Sequence, residues 1–251
     1  MNKKTLYIGA FFLLLFSGVA VAQNVRMPIP KIACDITEAT KPKDVALGLQ
    51  ILFLLTILTL APAIVMMMTA FTRVVIVLDF IKRALSLQQM PPNQVIVGLS
   101  IFLTVFIMAP TFTEINDTAL QPYLKGKINS ETFFDRGITP LRTFMFKQTR
   151  EKDIALFIKL AKIEKPKTHE DVPTYCLIPA FMISELKRAF EIGVFIFIPF
   201  IVIDMIVASA LMAMGMIMLP PVMISLPFKI ILFILVDGWN LLIYELVKSF
   251  R

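Results

Sequence analysis

Five charged residues, Arg73, Asp79, Asp204, Lys229 and Asp237, stand inside or against long apolar runs. An isolated charge at such depth is strongly penalised, so each needs an opposite partner or a functional reason to be there. Two chemistries fit. One is a relay that hands protons or ions between acids; the other is pairing between helices or subunits that fixes register. Pairing is favoured, because no ordered series of acids and histidines accompanies these residues. Lys229 and Asp237 lie about two helical turns apart and so near one face. Glu185, just before the last apolar stretch, is a further candidate partner for Lys229.

Nothing else in the chain is equipped for catalysis. His169 is the only histidine and sits among charged residues, so a histidine-based triad or metal site lacks material. The nine glycines are scattered singly and form no phosphate-cradling loop. There is no CxxC pair and no metal-spaced acid cluster. Neither enzymatic activity nor a cofactor is expected. Cys34 and Cys176 are a candidate disulfide if both reach an oxidising compartment; two buried thiols are the equal alternative.

The methionines offer a different property, softness. Met212, Met214, Met216 and Met218 alternate, with Met205 and Met223 beyond, and Gly215, Pro220 and Pro221 interrupt them. A period of two does not build one face of a helix, so the spacing predicts helix termination and an extended loop at 215–221. Methionine is unbranched and adaptable, and a ring of such loops could seal a pore. Ordinary packing, as at Met66–Met68, explains the same residues and is favoured by the sequence alone.

The elements that must position these groups are apolar and long. Of 251 residues, 57% are hydrophobic and 17% charged, which places the chain in the membrane class. Its formal charge of +7 reports loop placement more than nucleic-acid binding, since no motif that reads RNA or DNA is present. Lys3 and Lys4, the apolar Leu6–Gly18 and the small-residue Ala20-Val21-Ala22 predict a cleavable signal peptide over 1–22. Residues 23–44 are polar and proline-bearing and read as an external arm. Residues 45–113 hold two apolar runs, read as a first helical pair whose connection, 73–94, carries Arg73, Lys82 and Arg83 and faces the cytoplasm. Pro62 should kink the first run or split it. Residues 114–188 form the only long hydrophilic region, with helical spacing over 139–163, and read as a small external, periplasmic subdomain. Residues 189–251 read as broken helices around the 215–221 loop. The fold class is all-α, a multi-helix membrane-associated protein with broken helices and a small helical external subdomain; that it is a channel subunit is what the family resemblance below implies.

Several blocks resemble a known family. PAFMISELKRAFEIGV from Pro179, TRVVIVLDFIKRALSLQQMPPNQVIVGL from Thr72, ASALMAMGMIMLPP from Ala208, LPFKIILFILVDGWNLL from Leu226 and RTFMFKQTREKDIALFIKLA from Arg142 are similar to the flagellar and type III secretion export-gate protein P (FliP-like) family, in its flagellar branch. The resemblance implies a homo-oligomer of about five copies, built with export-gate proteins Q and R and working beside B and A of the same apparatus. It implies a cone-like channel for unfolded flagellar substrates at the bacterial inner membrane and its periplasmic side, in the flagellar basal body. It also implies that formally transmembrane segments need not contact lipid. On this chain the sealing gasket would be Met214, Gly215, Met216, Ile217 and Met218, followed by Pro220 and Pro221. Members with three consecutive methionines differ here: Ile217 is stiff at χ1, which implies a less deformable seal at that point. Glu185, Asp204, Lys229 and Asp237 would serve subunit pairing. The rival reading of the same charges is an ion-coupled transporter or channel using Asp204, Lys229 and Asp237; a pore-free assembly factor is the third.

Overall fold

Helix α1, Pro42–Met67, runs unbroken through Pro62. The computed structural model to which it belongs describes residues 42–87, 90–164, 166, 168–216 and 218–250. The expected signal peptide, most of the expected arm, Cys34 and Ile217 lie outside them. The chain divides into two units, 1–52 and 53–251, and every element after α1 belongs to the second. Of the kink or split expected at Pro62, the split does not occur. A proline costs a helix one main-chain hydrogen bond, and the surrounding leucines, isoleucines and alanines carry the helix past it.

Helix α2, Phe71–Ala84, occupies most of the segment expected to be a basic cytoplasmic loop. Its buried residues Val74, Val77, Leu78, Ile81 and Ala84 recur at helical spacing and pack against α7, while Lys82 and Arg83 sit on the outer side. Arg73 is not a loop residue at all; it points into the core. Helix α3, Asn93–Ile115, continues through a π-helical turn, Asn116–Leu120, into the short α4, Gln121–Leu124. Helix α5, Ser130–Gln148, is started by Asn129, whose side chain accepts from the Thr132 amide at 2.8 Å. Helix α6, Glu151–Leu160, carries Glu151 and Asp153 in its first turn, where acids favour the helix dipole.

The longest element is α7, Thr174–Ala213, whose 40 residues span about 60 Å at 1.5 Å per residue. It runs on through Asp204 rather than breaking at the boundary expected near residue 189. After the methionine-rich turn come α8, Pro221–Leu235, and α9, Gly238–Lys248, bent by 65° to each other. Among the described residues three helices are long and apolar enough to cross a membrane, or four if the bent α8–α9 pair counts as one span.

Two apolar clusters hold the second unit together. The larger joins α2, α3, α7, α8 and α9 around Val74, Leu78, Met108 and Leu246; the smaller joins α5, α6 and α7 around Met145, Leu177 and Phe181. Where α2 crosses α7, Gly193 lets the Phe80 ring lie directly against the helix backbone. A Cβ built there would stand 2.6 Å from a Phe80 ring carbon. Gly193→Ala should therefore overpack the crossing and cost about 1–3 kcal/mol. Thermal unfolding of the detergent-solubilised protein measures this; an unchanged Tm would mean that the ring moves aside freely.

Candidate functional site

Where α7 ends, the chain turns at Gly215, whose φ of +74° is a left-handed value that glycine adopts without penalty. Its amide donates to the Met212 carbonyl and the Met216 amide to the Leu211 carbonyl, both at 3.0 Å. This crossed pair is the Schellman closure of a helix C-terminus. Pro220 then precedes α8, and Pro221 begins it, where a missing amide hydrogen costs nothing. Between the two helices Met214, Met216 and Met218 are exposed, Met218 at 98%.

This turn caps a helical hairpin that is fastened from within. Asp204 lies nine residues before the end of α7, about 14 Å below the turn, and Lys229 lies eight residues into α8 at a similar depth. The Lys229 ammonium donates to Asp204 Oδ2 at 2.7 Å, and the Ser225 hydroxyl donates to the other carboxylate oxygen. Two further bonds carry Lys229 to the end of α2: 2.8 Å to Ser86 Oγ and 3.2 Å to the Ala84 carbonyl. All three ammonium hydrogens are thereby used, and the cation rests at the negative end of α2. Lys229 is 2% exposed, Asp204 31%.

The second buried pair is more complete. Arg73 donates from Nε and Nη2 to the two oxygens of Glu185, in the bidentate geometry that a guanidinium and a carboxylate favour. Its remaining hydrogens go to Gln148 Oε1 at 3.0 Å and to the carbonyl and hydroxyl of Ser249 at 2.9 and 3.0 Å. The Phe250 ring lies 3.8 Å from the guanidinium carbon. Gln148 in turn donates to the Phe250 carbonyl and accepts from Arg188. Arg73 and Glu185 are both fully buried, and the network ties α2, α5, α7 and the segment after α9 to one point.

The hydrophilic part has its own fastening. Arg142 on α5 donates to Thr174 Oγ1 and to the Val172 carbonyl, holding the entry to α7, while His169 stacks on Phe146. Asp153 accepts from Ser184 at 2.6 Å and from Arg150 at 2.8 Å. Burial pushes the Asp153 carboxyl up, but the Ser184 hydroxyl and the Arg150 guanidinium outweigh it and hold the group below the ordinary carboxylate range. A depressed carboxylate stabilises the fold at pH values above its unfolded pKa of about 4, and that contribution disappears as pH falls through the folded value. Asp153→Asn should therefore flatten the acid limb of a Tm-against-pH curve below about pH 4; an unchanged limb would remove Asp153 as its cause.

The structure brings some of the expected residues together and separates others. Asp204 and Lys229 pair; Glu185 pairs with Arg73, not with Lys229. Asp237 sits at the α8–α9 bend in a left-handed conformation, exposed, and takes none of the three Lys229 donors. The three pairing charges Glu185, Asp204 and Lys229 thus find partners within one chain. Cys176 is a buried free thiol. Sequence reasoning missed Ser86, Ser225, Gln148 and Ser249. Ser86 alone left a usable signal: it stands where a helix-ending glycine is common, two residues after Ala84, the last periodic apolar residue of α2.

Comparison with known proteins places the chain. The profile described as the FliP family matches residues 54–246. The flagellar biosynthetic protein FliP of Bacillus subtilis (strain 168) is 54% identical, the alignment covering 86% of this chain and 98% of that protein. The protein of the same name from Borreliella burgdorferi is 57% identical over 82% of this chain and 83% of its own length. That of Treponema pallidum is 49% identical over 100% of this chain and 97% of its own.

Proposed function

From the chain's membership of the FliP family of flagellar biosynthetic proteins, a component of the flagellar export apparatus, we propose that it is a pore-forming subunit of that apparatus. Several copies, about five, surround a channel for unfolded flagellar proteins, together with export-gate proteins Q and R and beside B and A. The channel stands at the inner membrane and its periplasmic side, in the basal body. It is not an enzyme; the energy for export comes from partner proteins. The loop 215–221, with Met214 before it, closes the channel at rest.

The observation that carries this reading is the pairing of an exposed, soft turn with a rigid stem. Met214, Met216 and Met218 project from a hairpin whose two helices are cross-linked by Asp204, Ser225 and Lys229. A surface turn used only for packing needs no such stem, whereas a seal must return to one position after each passage while its side chains reshape. A photocrosslinker at position 218, in cells exporting a stalled flagellar substrate, should capture that substrate. One at position 160, exposed on α6, should not. Capture of neighbouring copies or lipid alone at 218 would make the loop a packing element. The same reading expects Met218→Ala to leak ions in the assembled complex.

A further inference from the structure

The end of α2 is closed by the same device as the end of α7, but with the wrong residue for comfort. Ser86 donates its amide to the Arg83 carbonyl at 2.9 Å, and Leu87 donates to Lys82 at 3.1 Å. Ser86 therefore holds the left-handed position, with φ +59°, that glycine fills at residue 215. A β-carbon is disfavoured there, and serine is not among the residues that visit this region readily. The closure satisfies the carbonyls of Lys82 and Arg83 and leaves the next one, Ala84, to Lys229. The Ser86 hydroxyl stands beside that carbonyl and accepts a second bond from the same ammonium.

We propose that Ser86 is a positioning residue for the channel seal: its hydroxyl fixes Lys229 against the end of α2 and so sets the height of the hairpin that carries Met214–Met218. The inference rests on the reading of that loop as the seal. Lys229 is the only described contact through which a side chain of α8 joins both α7, at Asp204, and the turn after α2 by hydrogen bonds. With Ser86 in place, the ammonium has three fixed acceptors and one orientation. Without it, one hydrogen is freed, and the stem loses one of its two ties to the end of α2, keeping only the longer bond to the Ala84 carbonyl. The left-handed serine then acts through its oxygen and not through its backbone.

Backbone and hydroxyl can be separated experimentally, because they pull in opposite directions. Ser86→Gly relaxes the backbone but deletes the acceptor. Ser86→Asn keeps an acceptor on a residue that tolerates left-handed φ. The readouts are the conductance of the assembled, substrate-free export-gate complex in a planar bilayer and the Tm of that complex. Ser86→Gly should leave Tm equal to or above that of the wild type, yet raise the resting conductance by about tenfold, as expected for losing one hydrogen bond to a charged group that holds a closed state. Ser86→Asn should restore the resting conductance to near the wild-type level. A serine that acts only through its backbone predicts the same Tm for the glycine variant but an unchanged resting conductance. Met218→Ala is measured alongside. If it leaks and Ser86→Gly does not, the positioning role falls and the seal stands. If neither leaks, the loop is not the seal and the proposal falls with it.

Discussion

Glu185→Ala should abolish accumulation of the folded protein. The substitution leaves the Arg73 guanidinium fully buried with two of its five donors empty, and breaking a buried pair from one side costs about 3–5 kcal/mol. That is a large share of the stability of any domain. Glu185→Gln keeps the shape and one good acceptor and should fall between. The double replacement Arg73→Met with Glu185→Met should recover much of the loss, since apolar residues of similar volume leave no charge stranded. The exposed pair Arg83–Asp79, by contrast, should be worth less than about 0.5 kcal/mol. Protein level in the membrane fraction and Tm in detergent check the series. A Glu185→Ala protein as stable as the wild type would mean that water reaches Arg73.

The second large effect is an asymmetry at the other pair. Asp204→Ala strands an ammonium that is 2% exposed, with only the neutral Ser86 and Ala84 oxygens left to it. Lys229→Met strands a carboxylate that is a third exposed and keeps the Ser225 hydroxyl. The first should cost about 2–3 kcal/mol and the second about 1–2, the partial exposure of Asp204 softening both. Urea denaturation in detergent orders them. If Lys229→Met proves the more damaging, the open carbonyl at the end of α2 matters more than the buried charge.

Neither pairing is legible in the sequence, for two different physical reasons. The stretch from Met205 to Phe228 is apolar on every side, so its periodicity carries no information about which face looks inward. With no face to read, Asp204 and Asp237 are equal partners for Lys229. Only the break after Leu235, where the chain bends into α9, takes Asp237 out of reach of the shared face. Arg73 is hidden in another way. Beside Lys82 and Arg83 it resembles one of several loop cations, although Val74, Val77, Leu78 and Ile81 trace a buried helical stripe through the same segment. Its partner lies 112 residues away, a separation that no local pattern encodes. Punctuation is legible, because Gly215 and Pro220-Pro221 act through their own backbones. The all-helical class is legible too, since long apolar runs have few other ways to satisfy their main-chain groups.

The Arg73 network also sets a clock. Its last acceptors, the carbonyl and hydroxyl of Ser249, follow Arg73 by 176 residues. At ribosomal speeds of about 5–20 residues per second, roughly 10–35 s pass between the synthesis of the cation and that of its final partners. Throughout that interval α2 carries a guanidinium whose shell is incomplete, and the larger cluster cannot close around it. The Arg73 shell is therefore completed only when residue 249 has been made, so α2 remains short of two of its acceptors for almost the whole of synthesis.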